Sequence, residues 1–545
     1  LLIAPGDDLL VALRDLPAGL AGETAGLRWL LRQDIPFKHK FALRPLAAGA
    51  FVRMYGLQVG IARRDIAAGE WISTENLAHA TAPLQLRAAQ QPWQAPDVSR
   101  WQGRHFLGFH RPGGQVGTAN YWLVLPLVFC ENRNLEVLRR AFHETLGYAL
   151  PDRHTRQLRH LLGRYQAGAR LESLLGEPLP EISDESLGSR PFPQVDGIKF
   201  LPHTGGCGGT REDSRRLCQL LAGYITHPNV AGATVLSLGC QHAQTEWLRE
   251  AIAEADPHFA KPLYVLEQQK SRSEPAFMAE ALRCTFAGVA AANELRREPA
   301  PLSKLTLGLE CGGSDGLSGI TANPLVGQVS DYLVALGGAA ILSEFPELSG
   351  AEQWLVDRCV AESVAAEFIR LMRAYEAAAQ RAGSGFEANP SPGNIRDGLI
   401  TDAMKSAGAA LKGGSSPVVS VLEYGGIARG AGLHLLCTPG NDVESTTGLA
   451  AAGAQIILFT TGLGTPTGNP VAQTLKISSN TPLFRRMGDL IDFDAGRLLG
   501  EPLGLAELGA ELLEQVLATA SGEYVPSAVR LQQDDFIPWK NGVSL

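Results

Sequence analysis

Several glycine-rich runs, each following an apolar stretch, hold the residue types that do chemistry. His203-Thr204-Gly205-Gly206-Cys207-Gly208-Gly209-Thr210 leads into Arg211, Glu212 and Asp213, which read as the start of a helix. A flexible loop ahead of a helix N-terminus suits an anion or a carboxylate. His203 and Cys207 are metal-ligand types, and an imidazole is also a general base. The plainer alternative is a tight turn around a small buried thiol. Leu238-Gly239-Cys240-Gln241-His242 and the run Glu310 to Gly319 repeat the arrangement. Cys207, Cys240 and Cys311 therefore stand at equivalent positions. Iron–sulfur chemistry or thiolate metal binding follows if they converge at one sheet edge; otherwise they are structural thiols.

Gly312-Gly313-Ser314-Asp315-Gly316 satisfies the nucleophile-elbow pattern G-x-S-x-G. That elbow needs a helix at once, whereas Gly316, Gly319 and Pro324 follow, and His434 is the only histidine downstream to complete a triad. Further on, Asn389-Pro390-Ser391-Pro392-Gly393-Asn394 precedes Asp397, Asp402, Lys405 and Lys412. Asn441, Asp442 and Glu444 are hard oxygen donors of the kind that suit magnesium, manganese or ferrous iron, and the hydroxyls beside them suit a polyol. Their plainer reading is a capped helix N-terminus with acidic residues in its first turn. Thr460 to Pro470 misses G-x-G-x-x-G, and no Walker A run occurs, so phosphate and dinucleotide binding have little support.

The elements that must position these loops alternate strand and helix. Strands are expected at 197–201, 233–238, 262–266, 305–309 and 339–342, with helices over 211–225, 243–255, 272–297, 324–337 and much of 350–382. Further strands are expected at 417–422, 433–437, 455–460 and 474–478. This is an α/β pattern with mainly parallel sheets, whose ligands lie outside the carboxyl ends of the strands. Residues 1–77 differ: short strands at Leu9–Leu13, Lys40–Leu43 and Phe51–Tyr55 alternate with Pro-Ala-Gly and Ala-Ala-Gly turns, which reads as a small β-rich domain. The expected division is 1–77, a linker over 78–100, a first α/β domain over 101–390 and a second over 391–545.

Composition narrows the function. The chain has 545 residues, 45% of them hydrophobic and 19% charged, enough to build sizeable cores. Its net charge of −8 is spread without blocks, which argues against a nucleic-acid surface. No apolar run reaches the ~18 residues of a membrane span, and no intact signal peptide is visible. None of the eight cysteines forms a CxxC pair, as expected of reduced thiols in a cytoplasmic protein.

Taken together, these segments resemble the altronate and galactarate dehydratase family. The likeness covers nearly the whole chain. Residues 7–77, with His39-Lys40 and Tyr55-Gly56, resemble its β-clip, antifreeze-like module. Gly113 to Tyr121 resembles its glycine–threonine–arginine–asparagine segment, with Ala119 where arginine is usual. The loops at 203–209, 239–240, 310–319, 393–394, 440–447 and 462–470 match as well. One departure is that Trp71 to Asn76 carries no histidine where altronate-type members have a histidine-rich stretch; if that stretch holds metal or substrate, Glu75 substitutes or the substrate differs.

The resemblance implies elimination of water from a C6 sugar acid, foremost D-altronate to 2-dehydro-3-deoxy-D-gluconate, with galactarate or another aldarate or aldonate as the alternative. It implies a divalent metal, ferrous iron or manganese with magnesium as a further option, and leaves a homo-oligomer open. On this basis His203 and His39 are expected to carry the acid–base chemistry. Asp315, Asp442, Glu444, Cys207 and Cys311 are expected at the metal. Lys40, Lys412 and Lys476 are expected to bind the substrate carboxylate as point charges. Asn120, Thr204, Ser314, Asn394, Asn441, Thr446 and Thr447 complete the expected substrate contacts. Two rivals stand beside this: a serine hydrolase using Ser314, and a sugar-acid-binding protein without catalysis.

Overall fold

The computed structural model describes residues 1–86, 92–150, 153–180 and 190–542. Residues 87–91 of the expected linker, 181–189 of the segment before the first glycine loop and 543–545 lie outside the described residues.

The chain forms a mixed α/β protein. Its first 80 residues build three small antiparallel sheets, with pairings Leu9–Val11 to Lys40–Ala42, Ala21–Thr24 to Leu27–Leu30, and Phe51–Met54 to Leu57–Ala62 to Leu77–Ala78. The three Ala-Gly turns adopt the left-handed backbone that glycine permits, with Gly19, Gly49 and Gly69 at φ of 80°, 78° and 78°. Carboxylates fasten the turns: the amides of Ala18 and Ala48 donate to Asp34 and Asp65, both at 2.8 Å.

A four-stranded parallel sheet follows, in the order Gly197–Phe200, Tyr121–Pro126, Val230–Ser237, Leu263–Glu267. The largest sheet has seven strands, all parallel, ordered Val418–Leu422, Gly432–Leu436, Ala339–Leu342, Thr306–Cys311, Ile456–Thr461, Gln473–Ser478, Phe493–Asp494. Its central strands are buried almost throughout because both faces are covered, with polar residues such as Glu310, Thr460 and Thr461 at their carboxyl ends. In Ile456–Thr461 the side chains alternate strictly. Ile456 and Leu458 pack with Leu325 and Val329 of helix Ala322–Ala335, whereas Ile457 and Phe459 pack with Leu449 and Ala450 of helix Asp442–Ala451. Among the described residues, no helix is long and apolar enough to cross a membrane.

The seven-stranded sheet takes strands from both sides of residue 390, so the division expected at 390/391 is corrected: it falls within the span of one sheet. The Pro-, Gly- and Asn-rich run around it resembles a linker in composition, but it packs as a wall of the largest domain, with Asn394 donating to the carbonyl of Ser314 at 2.7 Å. The small domain docks on this same region. Leu9, Val52, Met54 and Val59 share a core with Leu317, Ile400 and Met404, and Thr401 donates to the carbonyl of Val59 at 2.8 Å.

Glycine makes that docking close. A Cβ on Gly319 would sit 2.6 Å from the Tyr55 hydroxyl oxygen and 2.7 Å from the Gly408 Cα. Gly319→Ala is therefore expected to destabilise the protein by roughly 1–3 kcal/mol through overpacking, read by denaturant unfolding. Gly163→Ala, where nothing lies within 4 Å, is expected to be neutral or stabilising by up to ~1 kcal/mol of helix propensity. Equal stability of the Gly319→Ala variant and wild type would refute the tight docking.

Candidate active site

The carboxyl ends of the central strands in the seven-stranded sheet converge on one buried ionic cluster. Strand Thr306–Cys311 delivers Glu310 and Cys311. Strand Ala339–Leu342 is followed by Ser343 and then Glu344, whose backbone turns left-handed at φ 63°, ψ 59° before the 3-10 turn Phe345–Leu348 brings in Glu347. Helix Asp402–Ala410 and the turn after it add Lys405 and Lys412. Helix Asp442–Ala451 opens with Asp442, capped by Asn441, whose side chain accepts from the amides of Val443 and Glu444 at 3.1 and 3.2 Å.

These groups interlock. Lys412 donates to the Cys311 sulfur at 2.9 Å and pairs with Glu344. Lys405 pairs with Glu347 and donates to Asn389 at 2.9 Å, and Asn389 donates back to Glu347 at 3.1 Å. The Cys311 thiol faces Glu347 at 3.2 Å and Glu344 at 3.5 Å. One Glu310 oxygen accepts from Ser445 at 2.7 Å and Ser343 at 3.0 Å. Gly312 gives Asp442 its space, because a Cβ there would lie 2.0 Å from the carboxylate.

Burial sets the charge states. It pushes Glu310 well above the usual carboxylate range, with Glu344 adding to the rise, and burial followed by the charge of Glu347 raises Glu344. Burial followed by Glu344 and Glu347 lifts Asp442 to about 7. Burial also acts on Glu347, but Lys405 and Lys412 outweigh it and hold this carboxyl low. Both lysines stay above the ordinary ammonium value: burial opposes their charge, and the surrounding carboxylates and Cys311 prevail.

A divalent cation fits this arrangement. Four carboxyl groups face two ammonium groups, and the raised pKa values of Glu310, Glu344 and Asp442 mark a site whose ionised form lacks the positive charge that a bound cation would supply. The Oε1 atoms of Glu310 and Glu344 are buried without a hydrogen-bond partner, although such atoms are nearly always satisfied. Ligand atoms of Glu310, Glu344 and Asp442 lie within 4.8 Å of one another, as do those of Cys311, Glu344 and Glu347. Three carboxylates form an oxygen-rich set that suits iron, manganese or magnesium.

Beside this cluster the small domain inserts Lys38-His39-Lys40. Lys38 pairs with Asp315 at 2.8 Å, and Asp315 also accepts from Ser479 at 2.8 Å and Asn480 at 3.1 Å. Lys40 is fully buried and donates to the carbonyl of Gly398 at 2.6 Å; burial lowers its pKa to about 7 despite Asp315. His39 bonds through Nε2 to the Arg396 carbonyl at 3.0 Å, and its Nδ1 accepts from Trp71 at 3.2 Å.

Of the residues expected from sequence, the structure gathers Cys311, Asp442 and Lys412 in the cluster and puts Asp315, Ser314, Asn394, Lys40 and His39 beside it. Others lie apart. His203 is buried, with Nε2 bonded to the Pro126 carbonyl at 2.8 Å and Nδ1 accepting from Gly205 at 3.1 Å, so backbone occupies both nitrogens. Cys207 and Thr204 belong to the glycine loop after the four-stranded sheet, so Cys207, Cys240 and Cys311 do not share one sheet edge. Asn120 bonds Arg111, Gln194 and Ala292 inside the second domain. Thr446 bonds the Val443 carbonyl, Thr447 accepts from the Ile537 amide, and Lys476 meets Gln533. Glu444 falls outside both ligand groups. A serine triad does not assemble, because His434 is engaged by Ser420 and the Gly430 carbonyl. Sequence reasoning missed Glu344 and Glu347 and assigned no role to Glu310 or Lys405; for the first two, two glutamates three apart directly after a parallel strand were the available signal.

The same assignment comes from comparison with known proteins. Residues 1–80 match the altronate/galactarate dehydratase SAF domain, 108–293 the D-galactarate dehydratase/altronate hydrolase second domain, and 302–544 the D-galactarate/altronate dehydratase C-terminal domain. The chain is 33% identical to an altronate dehydratase of Bacillus subtilis (strain 168), with 99% of this chain and 98% of the relative covered. It is 34% identical to an altronate dehydratase of Escherichia coli (strain K12), over 99% and 98%. A galactarate dehydratase (L-threo-forming) of the same organism is 30% identical over 90% of this chain and 87% of its own length. With its three domains, and with a buried carboxylate–lysine cluster suited to a divalent metal, the chain belongs to the altronate/galactarate dehydratase family and is a hydro-lyase acting on sugar acids.

Proposed function

We propose that the substrate is D-altronate, dehydrated to 2-dehydro-3-deoxy-D-gluconate in the cytoplasm, and that the small domain is of the β-clip, antifreeze-like type. The higher identity to the two altronate dehydratases than to the galactarate enzyme supports the substrate. Eight free cysteines support a reducing compartment. The observation that carries the site assignment is the buried cluster with its two unpartnered carboxylate oxygens.

Glu310, Glu344 and Asp442 would hold the cation. A bound divalent ion, ferrous iron or manganese ahead of magnesium, supplies a Lewis acid that stabilises negative charge on substrate oxygens. Lys405 and Lys412, kept protonated by their neighbours, bind the substrate carboxylate and the charge that develops when its α-proton leaves. Glu347 is the carboxylate left to accept that proton. Its basicity rises when the substrate draws Lys405 away, since an opposite charge is what holds its pKa down. In this reading His203 and His39 position loops, because their ring nitrogens are already bonded. Lys38, held by Asp315, brings the small domain to the rim.

Glu344→Gln is expected to weaken metal binding by at least about 10–100-fold, the usual cost of disturbing even an outer-shell contact, and turnover with it. Because burial raises Asp442 to about 7, protons compete with the metal there. Affinity should fall by about tenfold per pH unit for each proton displaced as pH drops below 7. Metal titration at pH 6 and 8 reads this, and equal affinity at both would contradict the assignment of Asp442.

His203 gives a separate test. Burial lowers its pKa to about 4, below the unfolded value of about 6.5. Its contribution is present above pH ~6.5 and is lost as pH falls toward 4, by on the order of 3 kcal/mol, because only the unfolded chain takes up the proton. Urea unfolding of His203→Asn should show a smaller loss between pH 7 and 5 than wild type, with metal content unchanged. A variant that folds normally but loses its metal would instead make His203 a ligand.

A further inference from the structure

The four-stranded sheet carries a second cluster of reactive groups. Its three adjacent parallel strands Gly197–Phe200, Tyr121–Pro126 and Val230–Ser237 are each followed by a loop with a cysteine: Cys207, Cys130 and Cys240. The loops are tied to one another. The amide of Phe129 donates to the Gly205 carbonyl at 3.1 Å and that of Ala243 to the Gly206 carbonyl at 3.0 Å. A Cβ on Gly206 would lie 2.0 Å from the Leu127 carbonyl oxygen, so this approach needs glycine.

Exposure separates these thiols from most of the others. Cys130 and Cys240 are exposed and Cys207 is half-buried, whereas Cys218, Cys311, Cys359 and Cys437 are buried. Free cysteines are usually buried, so three accessible ones on neighbouring loops call for a reason. Each also precedes a helix. Asn132–Leu146, Arg211–Thr226 and Thr245–Ala255 begin two, four and five residues after their cysteines, so each thiol sits on the short connection between a strand of this sheet and the next helix. The Gln269 side-chain amide donates to the Cys240 sulfur at 3.2 Å.

The spacing selects the ligand. Neighbouring strands are ~4.8 Å apart, so the outer two of three are about twice that. The three sulfurs do not all lie within 4.8 Å of one another. A single tetrahedral ion with bonds of ~2.3 Å to sulfur would need them closer. A cluster of iron and sulfide spans a wider gap. We propose that Cys130, Cys207 and Cys240 ligate an iron–sulfur cluster, separate from the carboxylate site, in which each thiol gives up its proton and its thiolate fills one iron position.

Full-length protein, reconstituted without oxygen using ferrous iron and sulfide, tests this. About four iron and four acid-labile sulfide per chain are expected for a cubane cluster, with charge-transfer absorption in the visible. Cys130→Ser, Cys207→Ser and Cys240→Ser should each lose most of that sulfide, while Cys284→Ser and Glu344→Gln keep it. Circular dichroism checks that the variants fold. Alkylation of the unaltered protein gives an independent reading: a loaded cluster should shield these three cysteines and leave Cys284 reactive. Iron without sulfide, a stoichiometric zinc ion, a disulfide between two of the three, or unchanged sulfide in the serine variants would each overturn the proposal.

Discussion

The buried ammonium of Lys412 constrains the largest domain more than any other group. Its side chain has almost no solvent contact, and it meets Cys311 and Glu344, which arrive from two different strands. Removing an ion from water costs several kcal/mol, and breaking one partner of a buried pair typically costs about 3–5 kcal/mol. Lys412 is tolerable only while the ends of Thr306–Cys311 and Ala339–Leu342 stay in register with the turn after helix Asp402–Ala410. Sheet order, strand ends and helix position are thereby tied to one charge.

The same region anchors the small domain. Asp315 takes Lys38 from it and Ser479 and Asn480 from the end of strand Gln473–Ser478, two strands along the sheet, so one carboxylate joins three parts of the chain. Lys40 extends this attachment through backbone carbonyls rather than through a counter-ion. Its charge is poorly compensated, whereas that of Lys412 is well compensated, and their opposite pKa displacements express this difference. Burial alone does not decide a lysine's charge; the partners do.

Much of this architecture was legible from local sequence. Strand 339–342 has its expected bounds, and helices 211–226 and 245–255 begin within two residues of expectation, because apolar runs bounded by glycine or capping residues leave few alternatives. Cys311 and Asp442 could be found by asking which reactive residues end or follow strands, whereas Lys412 stands in the turn after a helix. Glu344 and Glu347 could not be separated so easily from an ordinary charged loop, because their partners Lys412 and Lys405 stand 68 and 58 residues away. His203 misled for the same reason: its Nε2 partner, the Pro126 carbonyl, is 77 residues distant, and nothing local shows that this nitrogen is already engaged. The cysteine loops looked equivalent because each ends a strand, yet the strands belong to two sheets.

Glu344 occupies a left-handed backbone conformation that a residue with a Cβ adopts at a cost of about 1–3 kcal/mol. Its amide is held by the Thr438 hydroxyl at 2.8 Å, and the next amide by the Thr438 carbonyl at 3.2 Å. The neighbouring strand thus maintains the kink. Folding therefore meets the reorganisation energy of the site in advance. On the proposed assignment, the Glu344 carboxylate is aimed before any ligand arrives, and the rearrangement left to binding falls on the lysine side chains rather than on the backbone.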